Sequence, residues 1–563
     1  MPSNPNVTLG QVSNPFIGES IDLTLTFDNT GNADGFGPFT LLYLPTTGTD
    51  GADGIDFISA NFLGSSLDPV YNQTITADNI TDGFIEIEVF GQPYKVDISS
   101  SGYVEGDKLV AFELPFGSFV VDQPAADINV TLGGANFRLA DLDAPLDLTT
   151  QGGFLFGDQA DGTPGNPADG GDTRIQTVAN TNTGSISPKL VTISKEYLGP
   201  EDETATGPNF ERQYQLIVDI AEGQTITDLE LTDLLPDNMQ FVSLDSIVDS
   251  SGSPVASSST SLPSLTNPGG TLSAVIPSVT GGTSESDLVL TFTYYIPRVD
   301  SNSAVIINEI NADDVNSENQ GQISDGNWVP IDDGTAPNDG GDGQADTPVT
   351  GIVAHPESGD SAPDHILEDQ AIAIQKGVAK VSAEEFIQPG SILEYTLEFQ
   401  ISDYFAFDDI FITDTFSDGQ RINPGFAPTI EITEKGSGKL PANSTFAVPT
   451  YNPSGVSGDV NNDFFIIDET EINAPANSPD GNGDTKLTFE VSKYLNNQNN
   501  LDNAVGTSEG RLLGGGVPDT GVPGSGFDAD SNFPGGTTGT ITFQTIVQQE
   551  YTDDYPTALS KLF

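Results

Sequence analysis

Apolar and polar residues alternate along most of this chain in short runs, as in Leu190-Val191-Thr192-Ile193-Ser194-Lys195 and Leu393-Glu394-Tyr395-Thr396-Leu397-Glu398-Phe399. A two-residue period predicts half-buried antiparallel strands with one face on a core. Between the runs lie clusters of Gly, Asn, Asp, Pro and Ser, which punctuate strands rather than helices. No apolar run approaches the length of a membrane-spanning helix. The predicted class is all-β: tandem Ig-like antiparallel β-sandwiches with long Gly/Asp-rich loops.

The pattern repeats. Nineteen residues separate Lys195, which ends one alternating strand, from Tyr214 in the next, and nineteen more lead to Asp233 in Leu231-Thr232-Asp233-Leu234-Leu235-Pro236. The same two spacings join Lys376, Tyr395 and Asp414. Equal spacing between three matching landmarks marks two copies of one domain. A fainter copy opens with Ser20-Ile21-Asp22-Leu23-Thr24-Leu25-Thr26-Phe27 and reaches Leu41-Leu42-Tyr43-Leu44-Pro45; setting Pro45 on Pro236 puts Leu42 where Asp233 stands. The expected domains are residues 1–186 (divergent), 187–371 and 372–563. The third reads as truncated, since the chain ends soon after the strand Thr540-Ile541-Thr542-Phe543-Gln544-Thr545-Ile546-Val547. The length in excess of a bare sandwich, roughly 100 residues, falls in stretches such as 157–173, 333–364 and 514–536.

Composition sharpens the picture. Seventeen basic residues against 83 acidic ones give a net charge of −66. Such a chain is repelled by nucleic acid and by anionic lipid, so neither is expected as a direct partner. With 36% hydrophobic residues, 32 of them Phe, there is apolar material for several modest cores, so wholesale disorder is not expected. There is no cysteine, so no disulfide or thiolate metal site holds the fold. The start, Met1-Pro2-Ser3-Asn4-Pro5, has neither the basic region nor the apolar run of a signal peptide.

The turn Asp28-Asn29-Thr30-Gly31 after a strand, and Leu231-Thr232-Asp233-Leu234-Leu235-Pro236 before Phe241-Val242, resemble the bacterial surface-protein conserved repeat, catalogued as domain of unknown function eleven. In that family an Asn-bearing strand closes the sandwich. Here it would be Val305-Ile306-Ile307-Asn308-Glu309-Ile310 in the second repeat and Leu501-Asp502-Asn503-Ala504-Val505 in the third. The resemblance implies a cell-surface β-sandwich and no enzymatic activity.

Lys, Asp and Asn at corresponding places are also similar to the intramolecular isopeptide domains of Gram-positive pilins and collagen adhesins. In those a strand lysine attacks a carboxamide on the closing strand, assisted by an acid. The sets implied are Lys195 with Asp233 and Asn308, and Lys376 with Asp414 and Asn503; Lys380 is a rival nucleophile in the third repeat. The chemistry requires joint burial, which favours the neutral lysine and the protonated acid. Lys195 keeps the inward register of Val191 and Ile193, an unusual place for lysine. The bland alternative is a lysine snorkelling at a strand end and an aspartate capping a turn.

Acidity of this degree suits hydration in brine, and it also suits calcium, a hard cation that takes oxygen ligands. Asp459, Asn461 and Asp463 are spaced as in the start of an EF-hand loop, but Phe464 stands at the glycine position and Thr470 at the closing acid. Asp480, Asn482 and Asp484 repeat the spacing with glycines between. Further clusters are Asp158 and Asp161 with Asp169 and Asp172, then Asp339, Asp342 and Asp346, then Asp528 and Asp530. Ca2+ is the expected cofactor. His355 and His365 make a weak zinc pair, Val517-Pro518-Asp519-Thr520-Gly521 a sorting-signal look-alike, and Trp328 a core anchor or a glycan platform.

The reading is a non-enzymatic, extracellular structural or adhesive segment of a bacterial cell-surface protein. Its expected partners are neighbouring repeats, copies of itself, or a surface glycan or protein receptor, without direct membrane contact. A self-assembling subunit of a surface layer or filament, and a carbohydrate-binding module, are the alternatives.

Overall fold

The structure, a computed structural model, describes residues 3–10, 14–47, 54–99, 102–133, 145–156, 177–178, 182–200, 204–304, 306, 313–329, 347–355, 364–383, 386–407, 409–416, 418–434, 443–445, 465–468, 485–497, 513–515 and 536–549. It is an all-β protein of antiparallel sheets that pack as sandwiches.

One strand order recurs. In the first repeat the strands are β1 (Pro5–Leu9), β2 (Ser20–Asn29), β3 (Gly35–Leu44), β4 (Asp56–Phe62), β5 (Lys108–Glu113), β6 (Ala126–Gly133) and β7 (Leu146–Phe156). One sheet runs β1-β2-β6-β4 and the facing sheet β7-β3-β5, with shorter strands at the margins. The second repeat has β8 (Val191–Gly199), β9 (Arg212–Ile220), β10 (Thr225–Leu235), β11 (Gln240–Asp249), β12 (Gly270–Thr280), β13 (Leu288–Tyr295) and β14 (Gln320–Val329). Its sheets run β8-β9-β13-β11 and β14-β10-β12, the same path. The third has β15 (Ile372–Lys380), β16 (Ile392–Ile401), β17 (Phe411–Phe416), β18 (Thr429–Glu434), β19 (Thr485–Glu490) and β20 (Thr537–Val547). Its sheets run β15-β16-β20-β18 and β17-β19. Among the described residues, a seventh strand beside β17 is absent.

Strand alternation becomes core directly. In β9 the residues Arg212, Tyr214, Leu216, Val218 and Ile220 point inward while their neighbours face out. Each fully buried Leu, Val or Phe contributes roughly 1.5–3 kcal/mol. In the first repeat Phe27 packs on Phe119 and Phe154 at ring-centroid distances of 5.3 and 5.4 Å. The turn after β2 is held by Asn29, whose amide donates to the Ala33 carbonyl at 2.9 Å and whose oxygen accepts from the Asn4 backbone at 3.0 Å. A hairpin of Phe84–Val89 and Gln92–Asp97 adds a second small core on this repeat.

Consecutive repeats are joined by hydrogen bonds. Ile17 donates to the Lys189 carbonyl and Lys189 to that of Pro15, both at 2.9 Å. Between the second and third repeats, buried Asp403 accepts from the Asn209 backbone at 2.8 Å, from its side chain at 2.6 Å and from the Gly536 backbone at 2.7 Å.

Candidate functional site

Lys195, on the first strand of the second repeat, faces into the sandwich between its two sheets. Its register partner in β9 is Leu216, which in turn pairs with Leu290 of β13. Across the core, Asp233 sits in β10 between Leu272 of β12 and Gly321 of β14. Two residues before Gly321, at the head of β14, comes Asn319. The side chains of Lys195 and Asp233 have no solvent exposure, and Asn319 is equally enclosed. Lys195 Nζ hydrogen-bonds Asp233 Oδ2 and reaches Asn319 Oδ1 at 2.5 Å. The Asn319 amide donates toward Met239 Sδ at 3.3 Å. Asp233 Oδ1 is buried with no hydrogen-bond partner among the described residues.

Aromatic rings wall the site. Lys195 Nζ lies 4.6 Å from the centroid of Tyr214 and 5.4 Å from that of Phe292, and Tyr214 stacks on Tyr294 at 5.2 Å. Burial pulls the Lys195 amine down to about 8, against the attraction of Asp233. Burial likewise pushes the Asp233 carboxyl up, against Lys195 and Asn319. Both shifts favour the uncharged pair, since desolvation penalises the charged form of either group. A neutral amine beside a carboxamide and a proton-bearing carboxyl is a nucleophile, an electrophile and an acid in one closed space.

Asn308 lies outside the described residues. Among the described residues the carboxamide beside Lys195 is that of Asn319, at the head of β14, the strand that pairs with β10. The apolar run Val305-Ile306-Ile307 drew attention to Asn308. The signal for Asn319 was the alternation that follows it, Gln320-Gly321-Gln322-Ile323, ending near the only tryptophan. Tyr214 marked the repeat spacing, but its place beneath the amine emerges only with the fold.

In the third repeat Lys376 Nζ donates to Asp414 Oδ1 at 2.6 Å and lies 4.9 Å from the Tyr395 centroid. The register matches: Lys376 pairs with Leu397 and that with Ile541, while Asp414 pairs with Leu487. Yet the Lys376 side chain is 39% exposed. Asn503 lies outside the described residues. It also precedes β20, whereas Asn319 follows β13, the strand equivalent to β20, so the two asparagines hold different places in the topology. The rival Lys380 has a buried Nζ with no hydrogen-bond partner among the described residues. In the first repeat the same register positions are Leu42 and Leu148, both buried in the core, and Leu9, half-buried against it.

The calcium candidates Asp158, Asp161, Asp169, Asp172, Asp339, Asp342, Asp346, Asp459, Asn461, Asp463, Asp480, Asn482, Asp484, Asp528 and Asp530 all lie outside the described residues. Trp328 is buried and donates to Gln224 Oε1 at 3.0 Å, so it anchors β14 and is not a glycan platform.

No family model matches the chain, and no curated protein does. Among solved structures, the Staphylococcus aureus collagen adhesin aligns at 12% identity over 65% of this chain and 93% of its own, with a TM-score of 0.17. The full-length major pilin SpaD of Corynebacterium diphtheriae aligns at 10% identity over 70% and 72%, with a TM-score of 0.19. A cohesin module of a Clostridium perfringens glycoside hydrolase aligns at 7% identity over 33% and 96%, with a TM-score of 0.17. At these scores the alignments carry no functional argument; the sheets described above define the fold.

Proposed function

We propose that this chain is a structural segment of a bacterial cell-surface protein whose second repeat is stapled by an isopeptide bond between Lys195 Nζ and Asn319 Cγ. The observation that supports it is the enclosure of Lys195, Asp233 and Asn319 in one buried, ring-walled space. The neutral amine attacks Cγ while Asp233 gives its proton to the carboxamide oxygen. Asp233 relays a lysine proton to Nδ2; the tetrahedral adduct then collapses, the Cγ–Nδ2 bond breaks and ammonia leaves. As the carbonyl re-forms its hydroxyl proton returns to Asp233, which ends protonated, as it began. A buried ion pair alone is weak as a source of stability, because desolvation offsets its attraction; a covalent product needs no such balance, and it serves a chain that has no cysteine.

Intact mass decides the matter. The full chain should weigh less than its sequence by one ammonia, and a digest should yield a branched peptide joining Lys195 to Asn319. Lys195→Ala should restore the sequence mass. A wild-type mass equal to that of the sequence would sink the reading.

A further inference from the structure

The carboxamide of Asn319 can lie in its site in two ways, related by a half-turn about Cβ–Cγ. Only one suits the linkage: oxygen toward the amine and the acid, nitrogen on the far side as the leaving group. Lys195 Nζ reaches Asn319 Oδ1 at 2.5 Å, and the other end of the same carboxamide, Nδ2, donates to Met239 Sδ at 3.3 Å. A thioether sulfur accepts weakly and has no proton to give, whereas a carboxamide is a donor at one end and an acceptor at the other. Against this sulfur the NH2 end finds a partner and the carbonyl end finds none. The half-turned amide would bury a carbonyl oxygen without a hydrogen bond, which disfavours it by roughly tenfold or more.

The sulfur is held in place by its backbone. Met239 ends the turn that carries the chain from β10 to β11, and so from one sheet to the other. Its N–H donates to the Pro236 carbonyl at 3.1 Å, its carbonyl accepts from the Gly269 N–H at 2.8 Å, and its side chain is fully buried. Register identifies the counterpart in repeat three. Leu290 and Ile541 are equivalent, so Gln240 opposite Tyr295 matches Arg421 opposite Ile546, and Met239 matches Gln420. Gln420 Oε1 accepts from the hydroxyls of Tyr395 and Thr545, both at 2.8 Å, so this place adjoins the ring beneath the lysine there too. A glutamine offers both a donor and an acceptor and does not discriminate between the ends of a carboxamide. Of the two repeats, the second has the acceptor-only side chain.

We propose that Met239 is a positioning residue of the repeat-two linkage, its sulfur turning the Asn319 carboxamide so that oxygen meets the amine and the acid and nitrogen is presented to leave. This rests on the reading of repeat two given above. The sulfur takes no proton at any step. It orients Nδ2 without competing for the proton that Nδ2 receives from Lys195 through Asp233.

The test exchanges a single atom. Norleucine has a methylene where methionine has sulfur, and selenomethionine has selenium, which also accepts. Met1 and Met239 are the only methionines, so cell-free synthesis with each amino acid in turn gives three full chains that differ inside the fold at Met239 alone. Loss of one ammonia is followed over time by intact mass. Expected are equal rates with methionine and selenomethionine, and a rate about tenfold lower with norleucine. The same chains carrying Asn319→Ala, which cannot link, should unfold at one urea concentration, which separates orientation from packing. A norleucine chain that links as fast as the methionine chain, or that is slower but also less stable in the Asn319→Ala background, overturns this inference and leaves the repeat-two link standing. A methionine chain that never loses ammonia overturns the link itself, and with it any role for Met239.

Discussion

A Cβ placed on Gly321 would meet Leu216 Cδ2 at 2.2 Å. The glycine lets β14 lie against β9 closely enough for Asn319, two residues earlier, to reach Lys195. Gly321→Ala should therefore push β14 outward. Overpacking of this kind costs typically 1–3 kcal/mol. The variant should melt lower than wild type and leave part of the chains at the sequence mass. Complete linkage in the variant would show that close approach at Gly321 is not what positions the asparagine.

Repeat one shows that the fold tolerates leucine at all three site positions. Asp233→Leu alone should leave Lys195 buried without its partner, a change worth about 3–5 kcal/mol. The triple variant Lys195→Leu, Asp233→Leu, Asn319→Leu should recover most of that loss, because no charge is left behind. Urea unfolding of the two variants measures the difference; a triple variant as unstable as the single one would contradict it.

In an Asn319→Ala chain Lys195 stays an amine. Its folded pKa of about 8 lies below the ordinary 10.5. Between those values the unfolded chain holds a proton that the folded chain has released, so the variant should gain stability as the pH rises through that window. In the linked wild type this nitrogen is an amide and does not titrate. The stability difference between variant and wild type should narrow from pH 8 to 10.5; a constant gap would argue against the assignment.

Asp219 offers a test at the opposite end of the scale. Partial burial, then Asp287, Glu19 and Glu285, push its carboxyl up to about 6. The folded chain thus holds an extra proton between the ordinary carboxylate value and 6, and loses stability as the pH rises through that interval. Asp219→Asn should melt higher at neutral pH, by on the order of a few tenths of a kcal/mol at a half-buried site that solvent still screens, with the gain fading toward pH 4. A gain independent of pH would point to packing instead.

What the sequence revealed follows from which contacts are local. Lys195, Tyr214 and Asp233 belong to three consecutive strands, the first two paired in register and the third reached by a short crossing to the facing sheet, and the 38-residue separation of lysine and aspartate recurs for Lys376 and Asp414. Asn319 arrives on the seventh strand after a long excursion from the opposite sheet. No register relates the length of that excursion to the first three strands, and Asn308 was as good a candidate by pattern. The exposure of Lys376 was hidden for the same reason: Lys376 sits in a strand that reads like that of Lys195, and only the tertiary arrangement reveals that its side chain is part-exposed. The leucines of repeat one were legible at Leu42, through Pro45, but not at Leu9 or Leu148.

Lys195 lies on the first strand of its repeat and Asn319 at the head of the last, 124 residues apart in sequence. A pull along the chain enters repeat two at one of these strands and leaves at the other. With the bond in place, tension crosses from β8 to β14 through a covalent link, and the chain between them carries none of it. Repeat one meets the same tension with three leucines and strand hydrogen bonds alone. Under load, the first repeat would lengthen while the second kept its length, so a single chain would combine an extensible segment with an inextensible one.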